Sequence, residues 1–91
     1  LANIASAKKR IRSSARRQEQ NRHFRSSARS YVRQTRELID AGDLEAAQAM
    51  SQKATSILDK AARKGIVHPR NASRRKGRLM KALAAAKAAA V

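Results

Sequence analysis

Arg22, Arg25, Arg29, Arg33 and Arg36 follow one another at spacings of three and four residues. Such spacing stacks them into a single ridge if the segment is helical. A second series, Arg70, Arg74, Arg78 and Lys81, repeats the pattern, with Arg75 and Lys76 beside it. Upstream, Lys8, Lys9, Arg10, Arg12, Arg16 and Arg17 occupy most directions of a helical wheel. Solvated helix faces ordinarily alternate charge, because opposite charges at i, i+4 help a helix and like charges oppose it. Here the neighbours are like charges. The chemistry this fits is phosphate binding, in which each contact neutralises a backbone charge and releases condensed counterions. Arg outnumbers Lys, and its planar fork suits bidentate phosphate contact.

Other chemistries lack their residues. There is no cysteine, which excludes disulfides and thiolate metal sites. His23 and His68 have no matching carboxylates around them, so no metal site and no cofactor site is expected, and His68 reads as a helix cap or a phosphate contact. No nucleophile–base pair and no phosphate-cradling glycine loop occurs, so neither an enzyme nor a small-molecule substrate is expected. Asn71-Ala72-Ser73 matches a glycosylation triplet that is common by chance. Phe24 and Tyr31, the aromatic residues, fall on an apolar stripe and read as packing residues. With no aromatic platform for unstacked bases, structured nucleic acid, recognised by shape and backbone, is the better partner. An architectural DNA-binding protein is the competing reading, supported by the alanine–lysine C-terminus. A membrane-surface helix would need Trp, Phe and Leu for insertion, and no run is long and apolar enough to span a bilayer.

These side chains need helices to carry them, and the punctuation marks three. Gly42 followed by Asp43 ends one helix and caps the next, with Glu45 in the first turn of the second, where the helix dipole favours an acid. Gly65 ends that helix after Arg63 and Lys64. His68 and Pro69 open the third, proline standing where its missing N–H costs nothing. Apolar periodicity agrees: Phe24, Ala28, Tyr31, Thr35 and Leu38 form one stripe, with Val32 and Ile39 at its edge. Ala47, Met50, Ala54, Ile57, Leu58 and Ala61 form a second, and Ala72, Leu79, Leu83, Ala86 and Ala90 a third. The expected fold is all-α, an antiparallel three-helix bundle with a small, alanine-rich core and an extended N-terminal first helix. That helix would run from near Asn3 to Ala41, roughly 55 Å at 1.5 Å per residue against about 30 Å for each of the others. Its first half should therefore project beyond the bundle. The projecting part has its own weak stripe, Ile4, Ala7, Ile11 and Ala15, rotated by more than a right angle from the Phe24–Leu38 stripe. That stripe can meet the third helix, nucleic acid or another protein, or a kink near Gln18 can redirect it.

A single domain spans residues 1–91, divided into an extension, 1–20, and a bundle, 21–91. The formal charge of +16 is distributed in blocks. Residues 1–36 carry eleven bases and one acid, Glu19; residues 37–62 carry five acids and two bases; residues 63–91 carry nine bases and no acid. Charge of this size and sign destabilises a compact state and favours a polyanionic partner. Residues 1–36 also have the Arg- and Ser-rich composition of a transit peptide. That reading leaves the helical pattern from Phe24 to Ile39 unexplained.

Three segments, "ANIASAKKRI" at the start, "AGDLEAAQ" at the first turn and "KGIVHPRNASRRKGRL" at the second, resemble in order and spacing the bacterial small-subunit ribosomal protein S-twenty family. The resemblance extends over essentially the whole chain. It implies a three-helix bundle with a long first helix and direct, early binding to 16S ribosomal RNA at the base of the small-subunit body. The 5′ domain and the long helix near the 3′ end are the contacts it implies. Other small-subunit components are the further partners, and the implied location is the ribosome, cytoplasmic or organellar. By matching position, Asn3, Ser6, Lys8, Lys9 and Arg10 belong to an RNA-embedded start. Lys64, His68, Arg70, Asn71, Arg74, Arg75, Lys76 and Arg78 match the basic third-helix segment. Ala5 stands where lysine is common in the family, and Pro69 and Arg70 where a Lys and an Asn are common. Together with the spacing argument, the RNA-binding candidates are these residues and Arg12, Arg16, Arg17, Asn21, Arg22, Arg25, Arg29, Arg33 and Lys81. Asn71 and Ser73 are expected to act beside free backbone N–H groups at the start of the third helix.

Overall fold

In the computed structural model, which describes residues 4–90, three helices follow one another: α1 (Ile4–Ala41), α2 (Leu44–Arg63) and α3 (Pro69–Ala89). The end of α1 is built by Gly42. Its φ of +82° is the left-handed conformation that a side chain disfavours. Gly42 N–H donates to Ile39 O at 3.1 Å and Asp43 N–H to Leu38 O at 3.0 Å, the paired bonds of a Schellman cap. Asp43 then turns to the next helix and accepts from Ala46 N–H through its side chain. One short segment thereby closes α1 and opens α2. Gly65, with φ of +75°, repeats the device at the end of α2: Gly65 N–H donates to Ala62 O and Ile66 N–H to Ala61 O. The cap delivers Ile66, which is buried, into the bundle.

The core is formed by Ala28 of α1, Ala47, Ala54, Leu58 and Ala61 of α2, and Ala72, Leu79 and Leu83 of α3, joined by Ile66 from the loop. Small side chains let the helices approach closely, with Leu58 filling the space between Ala28 and Ala72. Two polar residues lie in this interior. Thr35 donates through Oγ1 to Tyr31 O at 2.7 Å, and Ser51 through Oγ to Gln48 O at 2.7 Å, so each is satisfied within its own helix. Phe24, Tyr31, Val32, Leu38 and Ile39 are half-buried, as the apolar stripe of α1 predicts. Ala90, at the end of the third stripe, is exposed.

The short loops reverse the chain twice, so α2 is antiparallel to both neighbours while α1 and α3 run in the same direction. Lys76 beside Asp59 and Lys87 beside Gln48 fix the α2–α3 register. α1 packs mainly on α2 and touches α3 least. That leaves a furrow between α1 and α3.

With 38 residues α1 is about 57 Å long at 1.5 Å per residue, nearly twice α2 with 20 or α3 with 21. Every residue from Ile4 to Gln20 is exposed. The helix runs without interruption through Gln18. The stripe of Ile4 and Ile11 meets no other helix: the two are 44% and 68% exposed. Contact with α3 is thus excluded for that stripe.

Candidate nucleic-acid interface

The furrow between α1 and α3 is where the two arginine ridges meet. One cleft, about 420 Å³, is lined by Arg29, Val32, Arg33, Arg36, Glu37 and Asp40 of α1 and by Arg75 and Arg78 of α3. Next to it, toward the α2–α3 loop, a second, upper cleft of about 280 Å³ is lined by Arg25, Arg29, Ile66, Val67, His68, Asn71 and Arg75. Arg29 and Arg75 line both, so the clefts are continuous. Six guanidinium groups from two helices share one surface. The acids of the furrow, Glu37 and Asp40, lie at its far end, and Arg33 pairs loosely with Glu37 at 3.9 Å, an exposed contact of little energetic weight.

Two contacts hold this surface at the root of the projecting helix. Arg25 donates from Nη2 to Ile66 O at 3.2 Å across the α1–loop boundary, which tethers its guanidinium to the loop. Lys64 Nζ lies 4.8 Å from the centroid of the Phe24 ring, a cation–π contact. His23 packs edge-on to the same ring at 6.4 Å. Phe24 therefore marks where α1 leaves its own bundle. Lys64, a candidate contact, is engaged with this ring in the isolated chain.

The start of α3 differs from expectation. His68 is its N-cap and accepts from Arg70 N–H through Nδ1 at 3.1 Å. Asn71 N–H and Ala72 N–H both donate to His68 O, and Pro69 has no N–H to offer. The first-turn donors are used by the cap. The expected free backbone N–H groups are absent there, because a histidine N-cap and a proline consume or remove them. Anion attraction at this end rests on side chains and the helix dipole. His68 keeps Nε2 as its remaining ring nitrogen.

The other candidates are distributed as follows. On the projecting helix, Ser6, Lys9, Arg10 and Arg17 share one strip with Ser13 and Ser14, and Arg22 shares another with Gln18, Glu19, Arg25, Ser26 and Arg29. Lys8, Arg12 and Arg16 are exposed on the remaining sides of the same helix. Asn21 is half-buried at its base. Arg70, Arg74 and Lys81 are exposed on α3 but do not line the furrow. Lys76 faces the opposite groove, where its Nζ meets Asp59 Oδ1 at 2.7 Å, so its charge is matched inside the chain. Asn3 lies outside the described residues. Arg36 belongs to the α1 ridge but not to the candidate contacts, and it lines the furrow; its i, i+3 spacing from Arg33 was the available signal. Ile66 and Val67, which wall the upper cleft, carried no such signal.

Among the described residues no cluster of three His, Cys, Asp or Glu side chains is arranged to hold a metal ion, and no helix is long and apolar enough to cross a membrane.

The chain is similar to a set of curated proteins, each named small ribosomal subunit protein bS20. That of Thermomicrobium roseum is 49% identical over 81 residues, covering 89% of this chain and 82% of the relative. That of Coprothermobacter proteolyticus is 44% identical over 81 residues, covering 89% and 92%. That of Nitrosomonas europaea is 44% identical over 85 residues, covering 93% and 98%. A family model described as Ribosomal protein S20 matches residues 2–84. With the match running over nearly the full length of the bundle and its projecting helix, the chain belongs to the ribosomal protein S20 family.

Proposed function

We propose that this protein is a structural, non-enzymatic constituent of the bacterial small ribosomal subunit that binds 16S ribosomal RNA directly and holds its folded helices together during assembly. The observation that carries the reading is the furrow of six arginines from α1 and α3, continuous with a helix exposed on every side. Residues 1–20 serve as an RNA-embedded extension, and residues 21–91 as the bundle that orients it. The furrow takes the backbone of one RNA segment, and the projecting helix enters among others. Its bases on all sides neutralise phosphates that would otherwise repel one another. Arg25, Arg29, Arg33, Arg36, Arg75 and Arg78 act at the furrow, and Arg22 on the strip of α1 next to it. Lys8, Lys9, Arg10, Arg12, Arg16 and Arg17 act along the extension. Lys76 contributes only after exchanging Asp59 for a phosphate.

The test is a competition between a transcript of the 16S 5′ domain and duplex DNA of equal length, at one fixed salt concentration with the full chain. Displacement of the protein from RNA only by a large excess of DNA is expected. Equal or better competition by DNA would overturn the reading in favour of an architectural DNA-binding protein.

A further inference from the structure

Asn71 is the one residue lining the upper cleft whose side chain offers an oxygen acceptor. It lines the cleft with Arg25, Arg29, His68 and Arg75. Its Oδ1 is shielded from solvent and has no hydrogen-bond partner among the described residues. A buried acceptor without a donor is uncommon and costly. The arginines beside it supply positive charge for a phosphate, and no acid is among the lining residues. A phosphate oxygen, however, brings no hydrogen for Asn71 to accept. A ribose 2′-hydroxyl does, and deoxyribose has none.

Resting on the RNA-binding reading above, we infer that the upper cleft is a pocket for one ribonucleotide of the bound RNA, in which Arg25, Arg29 and Arg75 hold the phosphate and Asn71 accepts from the 2′-hydroxyl. Arg25 is already oriented by its bond to Ile66 O, so it reaches the phosphate with little further ordering. His68 accepts through Nδ1 in capping α3, so its Nε2 is an N–H donor, and the acceptor left for a 2′-hydroxyl is Asn71. A half-turn of the Asn71 amide about χ2, a broad torsion, exchanges Oδ1 with Nδ2 and so presents the acceptor on the cleft side. The pocket makes ribose identity, and not charge alone, part of recognition at this one nucleotide.

Nucleotide-analogue interference tests the assignment. The 16S 5′-domain transcript is made with sparse 2′-deoxy substitutions, and molecules bound by the full chain are separated from those left free. With the natural chain, 2′-deoxy substitution at one nucleotide should reduce binding about 2- to 10-fold, the range for losing one hydrogen bond. With Asn71→Ala the same substitution should have no effect there, while interference elsewhere is unchanged. Identical interference maps for the two chains, both binding the transcript, would overturn the pocket and leave the RNA reading intact. Failure of the natural chain to retain the transcript at all would overturn both. Thermal unfolding of the free proteins supplies an independent arm: Asn71→Ala should unfold no earlier than the natural chain, because it removes an unpaired acceptor and gains helix propensity. Earlier unfolding would show that Asn71 is used by the fold and would overturn the assignment.

Discussion

The three glycines separate two uses of the same residue. Gly42 and Gly65 adopt positive φ, and each ends a helix. Gly77 lies inside α3 in helical conformation, and a Cβ built there meets nothing within 4 Å. Gly65→Ala should destabilise the bundle by about 1–2 kcal/mol, the cost of left-handed backbone for an L-residue. It also loosens the loop that carries Ile66 into the core and Ile66 O to Arg25. Gly77→Ala should do the opposite and stabilise by about 0.8–1 kcal/mol. Urea unfolding monitored by circular dichroism reads both, and shifts of the same sign would contradict the backbone assignment. Leu58 sets the scale for packing, since it is fully buried between Ala28 and Ala72. Leu58→Ala should cost about 2–5 kcal/mol, and in so small a core that is enough to lose cooperative unfolding near room temperature.

At the scale of elements, α1 is two helices in energetic terms. From Phe24 onward it is held by α2, with Ala28 and Thr35 buried. From Ile4 to Gln20 every residue is exposed, and Lys8, Arg12 and Arg16 repel one another at i, i+4 spacing. The bundle relieves this outer part of the cost of nucleation, so it needs only propagation, but each like-charge pair weakens that. Without RNA its amide protons should exchange far faster than those around Ala28 and Thr35, and RNA should slow them. Deleting residues 1–20 should leave the thermal transition of the bundle nearly unchanged while sharply lowering RNA affinity. Loss of the transition would mean that the extension is part of the fold. Helix boundaries were legible in the sequence because Gly42 with Asp43, Gly65, and His68 with Pro69 act through bonds within six residues of chain. The meeting of the ridges was not legible. A wheel gives the angle of Arg75 around α3, but not the rotation of α3 against α1 that brings Arg75 to Arg29. The Lys76–Asp59 contact and the burial of Ile66 were hidden for the same reason, since each depends on how one element sits on another. The saturation of the α3 N-terminus could have been read, because a histidine at the N-cap accepts the first N–H and Pro69 offers none.

For the molecule as a whole, the folded chain sorts its charge. The five acids of residues 37–62 belong to the end of α1, the α1–α2 turn and α2, while Arg25, Arg29, Arg33, Arg36, Arg75 and Arg78 converge on the furrow and the bases of the extension face solvent. One flank of the bundle is thus a scaffold of low charge, and the other presents most of the +16. A partner held by such a surface must show its ionic character in the salt dependence of binding. The logarithm of affinity falls linearly with the logarithm of salt, with a slope near −0.9 per neutralised phosphate on B-form DNA and near −0.7 on single strands. The full chain on its RNA should accordingly have a slope of magnitude well above 5. Single substitutions divide that slope by location. Arg29→Ala and Arg75→Ala, at the junction of the two clefts, should each reduce its magnitude by about 1. Lys53→Ala, on the exposed outer part of α2, removes the same charge from the total and should leave the slope unchanged. If Lys53→Ala lowered the slope as much as Arg75→Ala, net charge and not the furrow would govern binding. An unchanged slope for both arginine variants would place the phosphates along the extension alone. The comparison needs only affinity titrations at four or five salt concentrations, and it separates an RNA seat built by two converging helices from diffuse attraction to a basic protein.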